Sequence, residues 1–238
     1  MHQLLHTSSL FRGRHFNHTV IILSIRWYIT YKLSYRDLVA MMAERGVDVS
    51  HTTILRWVQR FVPEFEKRWR RYARPVGTSW RVDETYIKVR GRWTYLYRAV
   101  DKQGLTVDFL LSEHRDIAAA KRFFSRAIRL HGAPQSITVD GYPATHTAIA
   151  ELKKGGLLRS ETKVWTSKYL NNIIEQDHRR VKQRLYPMLG FKSLRNAVVT
   201  ISGIELAQKI RKRQFNTSAV TVREGARVSQ MWDAVLAG

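Results

Sequence analysis

Three acidic residues stand where acids are uncommon: Asp83 in WRVDETYIKV, Asp140 in ITVDGYP and Glu175 in NNIIEQDHRR. The first two fall in β-like segments, where Asp is depleted, and the third opens a helical stretch. Thirty-four residues separate Asp140 from Glu175, and Lys182 follows Glu175 by two helical turns. Three carboxylates brought together repel one another unless cations lie between them. Such a set suits a site that holds divalent metal ions against a phosphodiester. Hard oxygen ligands of this kind suit Mg²⁺ or Mn²⁺.

Each acid also has a local explanation. Asp83 is a candidate partner for Arg81, and Glu84 beside it is a rival that points to the other face of the strand. Asp140 heads a Gly-Tyr-Pro turn, a common place for Asp. Glu175 sits three residues after Asn172, where a capping glutamate would fall. The joint pattern, with the 34-residue gap and Lys182, favours the metal site. Lys182 shares a helical face with Glu175 at a distance of about 10 Å. Arg179, at i+4, lies on that face too, and both cations are candidates for gripping phosphates; the bland reading of Arg179 is an ion pair with Glu175. His178 suggests nothing specific, and the other histidines lack zinc-ligand spacing. No Walker-type phosphate loop occurs, so ATP is not expected to take part.

The elements that must position these acids are legible in the periodicity. Trp80–Val89, Trp93–Val100 and Leu105–Leu111 are β-like runs, broken at Gly91 and at Lys102-Gln103-Gly104, which predicts an antiparallel meander. A helix is expected from about Asp116 to Leu130, a short strand over Ser136–Val139, and a helix over roughly Pro143–Lys154. A strand around Val164 and a long helix from near Asn172 follow. Three strands, helix, strand, helix, strand, helix is the order of a ribonuclease H-like α/β domain, a mixed five-stranded sheet with flanking helices. In that layout the first and fourth strands are neighbours, which sets Asp83 beside Asp140, and the later helix lays Glu175 over them.

The front of the chain has another period. From Leu33 to Phe61 it reads LSYRDLVAMMAERGVDVSHTTILRWVQRF. Ser34 with Asp37 makes a capping-box start, Gly46 supplies a left-handed end, and Ser50 caps a second helix that Pro63 is expected to stop. Two helices around a tight glycine turn fit a helix-turn-helix. His51, Thr52 and Thr53 then face the major groove, with Arg56 and Arg60 further along. The alternative is a helical hairpin that reads nothing. His18 to Tyr31 reads as a supporting helix, and Trp27 and Trp57 as packing aromatics. The basic run Lys67, Arg68, Arg70, Arg71 and Arg74 ends at Pro75 and Gly77 and reads as a phosphate-tracking connector. The expected organisation is a helical DNA-binding domain over 1–62, a basic linker over 63–78, a catalytic domain over 79–215, and a tail over 216–238 for packing or assembly.

Composition points the same way. Lys and Arg total 41 against 19 Asp and Glu, a net charge of +22, which calls for a polyanionic partner, nucleic acid first. A hydrophobic content of 44% excludes a disordered chain. With no cysteine there is no disulfide, Cys-based zinc site or thiol nucleophile. The apolar run Val20–Ile25 meets Arg26 too soon to span a membrane. A soluble protein of the cytoplasm, associated with the nucleoid, is expected.

FRGRHF, LSYRDL, GTSWRVDETYIKVRGRWTYLYRAVD and the block from KYLNNIIEQDHRR to GIE make the chain resemble the bacterial DDE transposases, closest to the insertion sequence 6 family. The resemblance spans about Phe11 to Glu205. It implies Asp83, Asp140 and Glu175 as ligands of two metal ions in a ribonuclease H-like domain behind a helix-turn-helix. It further implies terminal inverted-repeat DNA as substrate, replicative transposition through cointegrates, and a homo-oligomer of two or more subunits. GYPATHTAI after Asp140 departs from the lysine or asparagine and Pro-Ala-Tyr of many relatives. The competing readings are a helix-turn-helix regulator without catalysis and a related nuclease that cuts and never joins.

Overall fold

The computed structural model describes residues 9–166, 172–218 and 227–237. Its contacts divide the chain into one unit of Met1–Arg74 with Val198–Gly238, and another of Pro75–Ala197. Among the described residues no helix is long and apolar enough to cross a membrane.

The first unit is helical. Its N-terminal helices are α1 (His18–Thr30), α2 (Tyr35–Ala43) and α3 (His51–Arg70). Local chemistry starts each of them: Asn17 accepts from the Thr19 N–H, Ser34 and Asp37 form a reciprocal capping box, and Ser50 accepts from the Thr53 N–H. Between α2 and α3, Gly46 adopts φ +69°, as the tight turn requires. Ile25, Leu38, Ile54, Val58, Phe61 and Phe65 are fully buried between these helices.

Pro63 does not stop α3, which continues to Arg70 through half of the segment expected to be a linker. A proline inside a helix costs roughly 3 kcal/mol. Here Pro63 is exposed, while Phe61, Val62, Phe65 and Trp69 around it are buried. Each large apolar side chain so buried returns about 1.5–3 kcal/mol, so packing outweighs the lost backbone bond.

The later residues of α7 (Leu194–Arg211) and α8 (Val228–Ala237) complete this unit. Gly203 of α7 is needed for close approach, since a Cβ there would stand 2.7 Å from Ile29 Cγ2 and 3.3 Å from the Val62 methyls. Trp232 of α8 packs edge-on against Phe65 and Trp69, at 5.6 and 5.4 Å between ring centroids. The Arg68 guanidinium, expected to track phosphate, instead donates to the Leu236 carbonyl at 2.6 Å. Lys67, Arg70, Arg71 and Arg74 remain exposed.

The second unit carries the sheet: β1 (Ser79–Val89), β2 (Arg92–Asp101), β3 (Thr106–Ser112), β4 (Ser136–Val139) and β5 (Lys163–Thr166), in the order β3-β2-β1-β4-β5. β1, β2 and β3 are antiparallel, while β4 and β5 run parallel to β1 and to each other. α4 (Ile117–His131) and α5 (Pro143–Lys154) share a core with one face of the sheet, built on Trp80, Val82, Tyr97, Phe123, Phe124 and Ile137. α6 (Asn172–Leu185) follows β5. This is the ribonuclease H-like arrangement expected from the element order, with first and fourth strands adjacent.

Candidate metal centre

The strand register sets the first two acids level. β1 and β4 pair in parallel up to Arg81 opposite Thr138, and Asp83 and Asp140 each lie two residues beyond that pair. Glu84, next along β1, turns its side chain to the face that carries Tyr97 and α4. Even so, Asp83, Glu84 and Asp140 each bring one carboxylate oxygen within 4.8 Å of the others. Among the described residues that is the one group of acidic and histidine side chains close enough to share an ion. Glu175 is not in it.

α6 approaches Asp83 from its other side. Ile174, Asp177, His178, Val181, Arg184 and Leu185 form its buried stripe. Asp177 accepts from Arg98 at 2.6 Å, with both side chains buried, and Arg98 stands directly opposite Asp83 across the β1–β2 ladder. His178 brings Nδ1 to 3.5 Å from Asp83 Oδ2. Glu175 lies one helical turn before His178, so it sits on the edge of α6 next to the residue that touches Asp83. Its carboxylate is exposed, and its charge acts on Asp83. Arg179 and Lys182 are exposed on the same helix, as the i+4 and i+7 spacing predicts.

The electrostatics are those of acids held close together in a largely buried site. Burial pushes the Asp83 carboxyl up to about 6, and the charges of Glu84, Asp140 and Glu175 add to the shift. Burial and Asp140 also raise Glu84 above the usual carboxylate range, with Arg115 and Thr145 opposing. His178 is driven down to about 3 by burial, then by Arg98 and Lys182, so its imidazole is neutral at ordinary pH. Its Nε2 is buried with no hydrogen-bond partner among the described residues.

Arg115, in the loop before α4, is the nearest cation on the opposite side. One guanidinium nitrogen donates to Glu84 Oε2 at 3.1 Å and to Asp140 Oδ2 at 3.2 Å. The guanidinium lies 3.7 Å from the centroid of the Tyr142 ring, and the Tyr142 hydroxyl donates back to the Arg115 carbonyl at 3.0 Å. The Tyr142 N–H also donates to Asp140 Oδ1 at 3.1 Å, and His146 Nε2 is 2.9 Å from the Asp140 carbonyl. GYPATHTAI therefore has a structural job: two of its side chains hold the loop that presents Asp140.

Sequence reasoning overlooked Arg115 and Asp177, named Glu84 only as a rival to Asp83, and gave His178 no specific role. For Asp177 and His178 a signal existed, because both fall on the apolar period of α6 set by Ile174 and Val181. An acid in a buried stripe demands a buried cation. For Glu84, strand alternation argued against convergence, and its reach toward Asp140 through Arg115 depends on a loop 31 residues away. Among the described residues Lys182 and Arg179 form no ion pair, and both side chains are exposed.

At the helix-turn-helix, His51, Thr52, Arg56 and Arg60 are exposed and Thr53 is partly buried. The hydroxyls of Thr52 and Thr53 each lie 2.9 Å from Ser50 Oγ, so the cap also orients them. Trp57 is buried, and Trp27 lies under the Arg45 guanidinium at 5.3 Å, both packing roles as expected.

Asp83 and Asp140 level with each other beyond adjacent parallel strands, on a ribonuclease H-like sheet, are the arrangement expected of a DDE phosphoryl-transfer domain. Residues 77–214 match the family described as a DDE domain, of the IS240 transposase type. The chain is 41% identical over 203 residues to the transposase for insertion sequence-like element IS431mec of Staphylococcus aureus strain Mu50, covering 85% of this chain and 89% of that one. The transposase for insertion sequence element IS257 in transposon Tn4003 of Staphylococcus aureus is similar to the same extent. Among solved structures, the HTLV-2 integrase catalytic core domain in complex with magnesium (trimeric form) aligns with a TM-score of 0.43 and 19% identity, over 55% of this chain and 86% of that one. The BIV integrase catalytic core domain aligns with a TM-score of 0.42 and 18% identity, over 55% and 83%. The chain belongs to the DDE transposases of the insertion sequence 6 family. It is a transposase.

Proposed function

We propose that this transposase binds the terminal inverted repeats of its element and joins them to target DNA, with Asp83, Asp140 and Glu175 holding two Mg²⁺ or Mn²⁺ ions. The observation that carries the reading is the convergence of Asp83, Glu84 and Asp140, whose carboxylate oxygens lie within 4.8 Å of one another in a donor set made only of oxygen, where burial and then the neighbouring acids raise Asp83 to about 6. Ions held there supply Lewis-acid activation of the attacking and leaving oxygens.

The chain's own residues do the positioning. Neutral His178 fixes α6 against β1 and the Asp177–Arg98 pair fixes it against β2, which keeps Glu175 at the edge of the acidic cluster. Arg115 orients Asp140 through a direct hydrogen bond and holds Glu84 as its counter-ion. Lys182 and Arg179, on the exposed side of α6, contact backbone phosphates of the DNA. His51, Thr52, Thr53, Arg56 and Arg60 at the start of α3 read the repeat. Hydrolysis at the element end frees a 3′-hydroxyl, which then attacks target DNA in line. One phosphodiester is exchanged for another, so no ATP is consumed, and the replicative outcome is a cointegrate. The enzyme works as a homo-oligomer of two or more subunits on double-stranded DNA in the bacterial cytoplasm, at the nucleoid.

The test is incubation of the purified protein with labelled end DNA, a plasmid target and Mg²⁺ or Mn²⁺. Asp83→Asn, Asp140→Asn and Glu175→Gln should each abolish nicking and joining while end binding in a mobility-shift assay stays near wild type. Joining by any of the three variants refutes the assignment of that residue. Wild-type binding with no nicking would leave a regulator, and nicking with no joining a nuclease.

A further inference from the structure

The β1–β2 hairpin carries a feature that the metal site does not use. The two strands turn through Arg90 and Gly91, at φ +52° and +75°, the left-handed pair of a two-residue hairpin turn. Arg90 tolerates that backbone because its N–H donates to the Phe191 carbonyl at 2.7 Å and its Nε to the Lys192 carbonyl at 3.4 Å. The tip is thus a fixed structure.

On one face of this hairpin the cross-strand pairs are Glu84 with Tyr97, Tyr86 with Tyr95, and Lys88 with Trp93. Tyr86 contacts Tyr95 at 5.4 Å and Trp93 at 6.5 Å between centroids, both edge-to-face. The ladder starts in the core at Tyr97 and emerges into solvent, where Trp93 is 62% and Tyr86 46% exposed. Lys88 Nζ lies 5.4 Å from the Trp93 ring centroid. Between the hairpin tip and the loop after β3 is a groove of about 550 Å³, lined by Arg90, Arg92, Trp93, Thr94, Glu113 and His114. That loop leads directly to Arg115, which bonds Glu84 and Asp140.

A large exposed tryptophan costs solubility unless something covers it, and its surroundings say what. Lys88, Arg90 and Arg92 outnumber Glu113, so the cover is anionic. Flat rings interleaved with cations stack bases and hold phosphates, and only unpaired bases offer a free face. We infer that the Tyr86–Trp93 ladder is a binding platform for single-stranded DNA, receiving unpaired nucleotides beside the acidic cluster. From Glu84 to Lys88 the strand spans about 13 Å, so the platform begins at the acidic cluster and leads away from it. The inference rests on the reading of the chain as a DNA-cutting enzyme, and it adds the form of DNA and its place.

The test needs no catalysis. Anisotropy of a labelled oligothymidine and of a duplex of equal length is measured with the full chain, in the absence of divalent metal. Trp93→Ala should weaken oligothymidine binding by between about 5- and 150-fold, the loss expected for one stacked base, and leave duplex binding within about twofold. Trp93→Phe should restore most of the affinity. Lys88→Ala should reduce the salt slope for the single strand by about 0.7. Unchanged oligothymidine binding by Trp93→Ala overturns the inference, as does an equal loss for the duplex. A change in oligomeric state by light scattering, with single-strand affinity intact, would instead make the face a contact between copies. If end DNA is never cut while these binding results hold, the catalytic reading fails and the platform stands.

Discussion

The polar contacts that start the N-terminal helices of this transposase and those that shape its acidic cluster differ in reach. In the helical unit the hydrogen bonds that define its first three helices close within a few residues: Asn17 to Thr19, Ser34 to Asp37, Ser50 to Thr53. In the sheet unit the contacts that shape the acidic centre join distant parts of the chain, Arg98 to Asp177 across 79 residues and Arg115 to Glu84 across 31. Helix ends are fixed by local chemistry, whereas the acidic cluster exists only after β1, β4 and the loop carrying Arg115 have come together. Damage should follow the same division, severe and long-range in one unit, mild and local in the other.

The largest effect on stability is expected at Asp177. Asp177→Ala takes the carboxylate from a buried cation and should destabilise the protein by about 3–5 kcal/mol, read from urea unfolding. A loss below about 1 kcal/mol would mean that the buried pair does not anchor α6. A smaller effect belongs to pH. Because Asp83 is raised to about 6, a proton competes for its carboxylate below that value, and Mn²⁺ affinity should fall about tenfold per unit between pH 6 and pH 5. Above about pH 7 it should be flat. In the metal-free protein the sign is opposite: the raised value favours the fold below pH 4, and this contribution is lost as pH rises through about 6. Calorimetric titration with Mn²⁺ at pH 5, 6 and 7.5 checks the first trend, and equal affinities would exclude Asp83 as a ligand. The smallest effect is local. Ser34→Ala removes one side of the capping box and should cost about 1 kcal/mol in thermal unfolding, with metal affinity unchanged.

The same division explains what could be read in the chain. Every strand and every helix of the sheet unit up to α6 lies within a few residues of its predicted place, because periodicity and turn residues are local signals. Asp83 and Asp140 were legible because acids are rare in strands, and their adjacency followed from the sheet order. Arg115 carried no such mark, since its meaning comes from Glu84 and Asp140 meeting it in space. Pro63 misled for the complementary reason: a proline's local cost is visible in sequence, while the buried aromatic face that outweighs it is not.

The uninterrupted α3 has a mechanical consequence. Twenty residues make a rod of about 30 Å, with His51 at one tip and the basic turn around Arg70 at the other. Pivoting such a rod at its far end swings the near tip by about half an ångström per degree. A shift of a few degrees at the base would carry Arg56, about 21 Å along the rod from Arg70, through roughly an ångström.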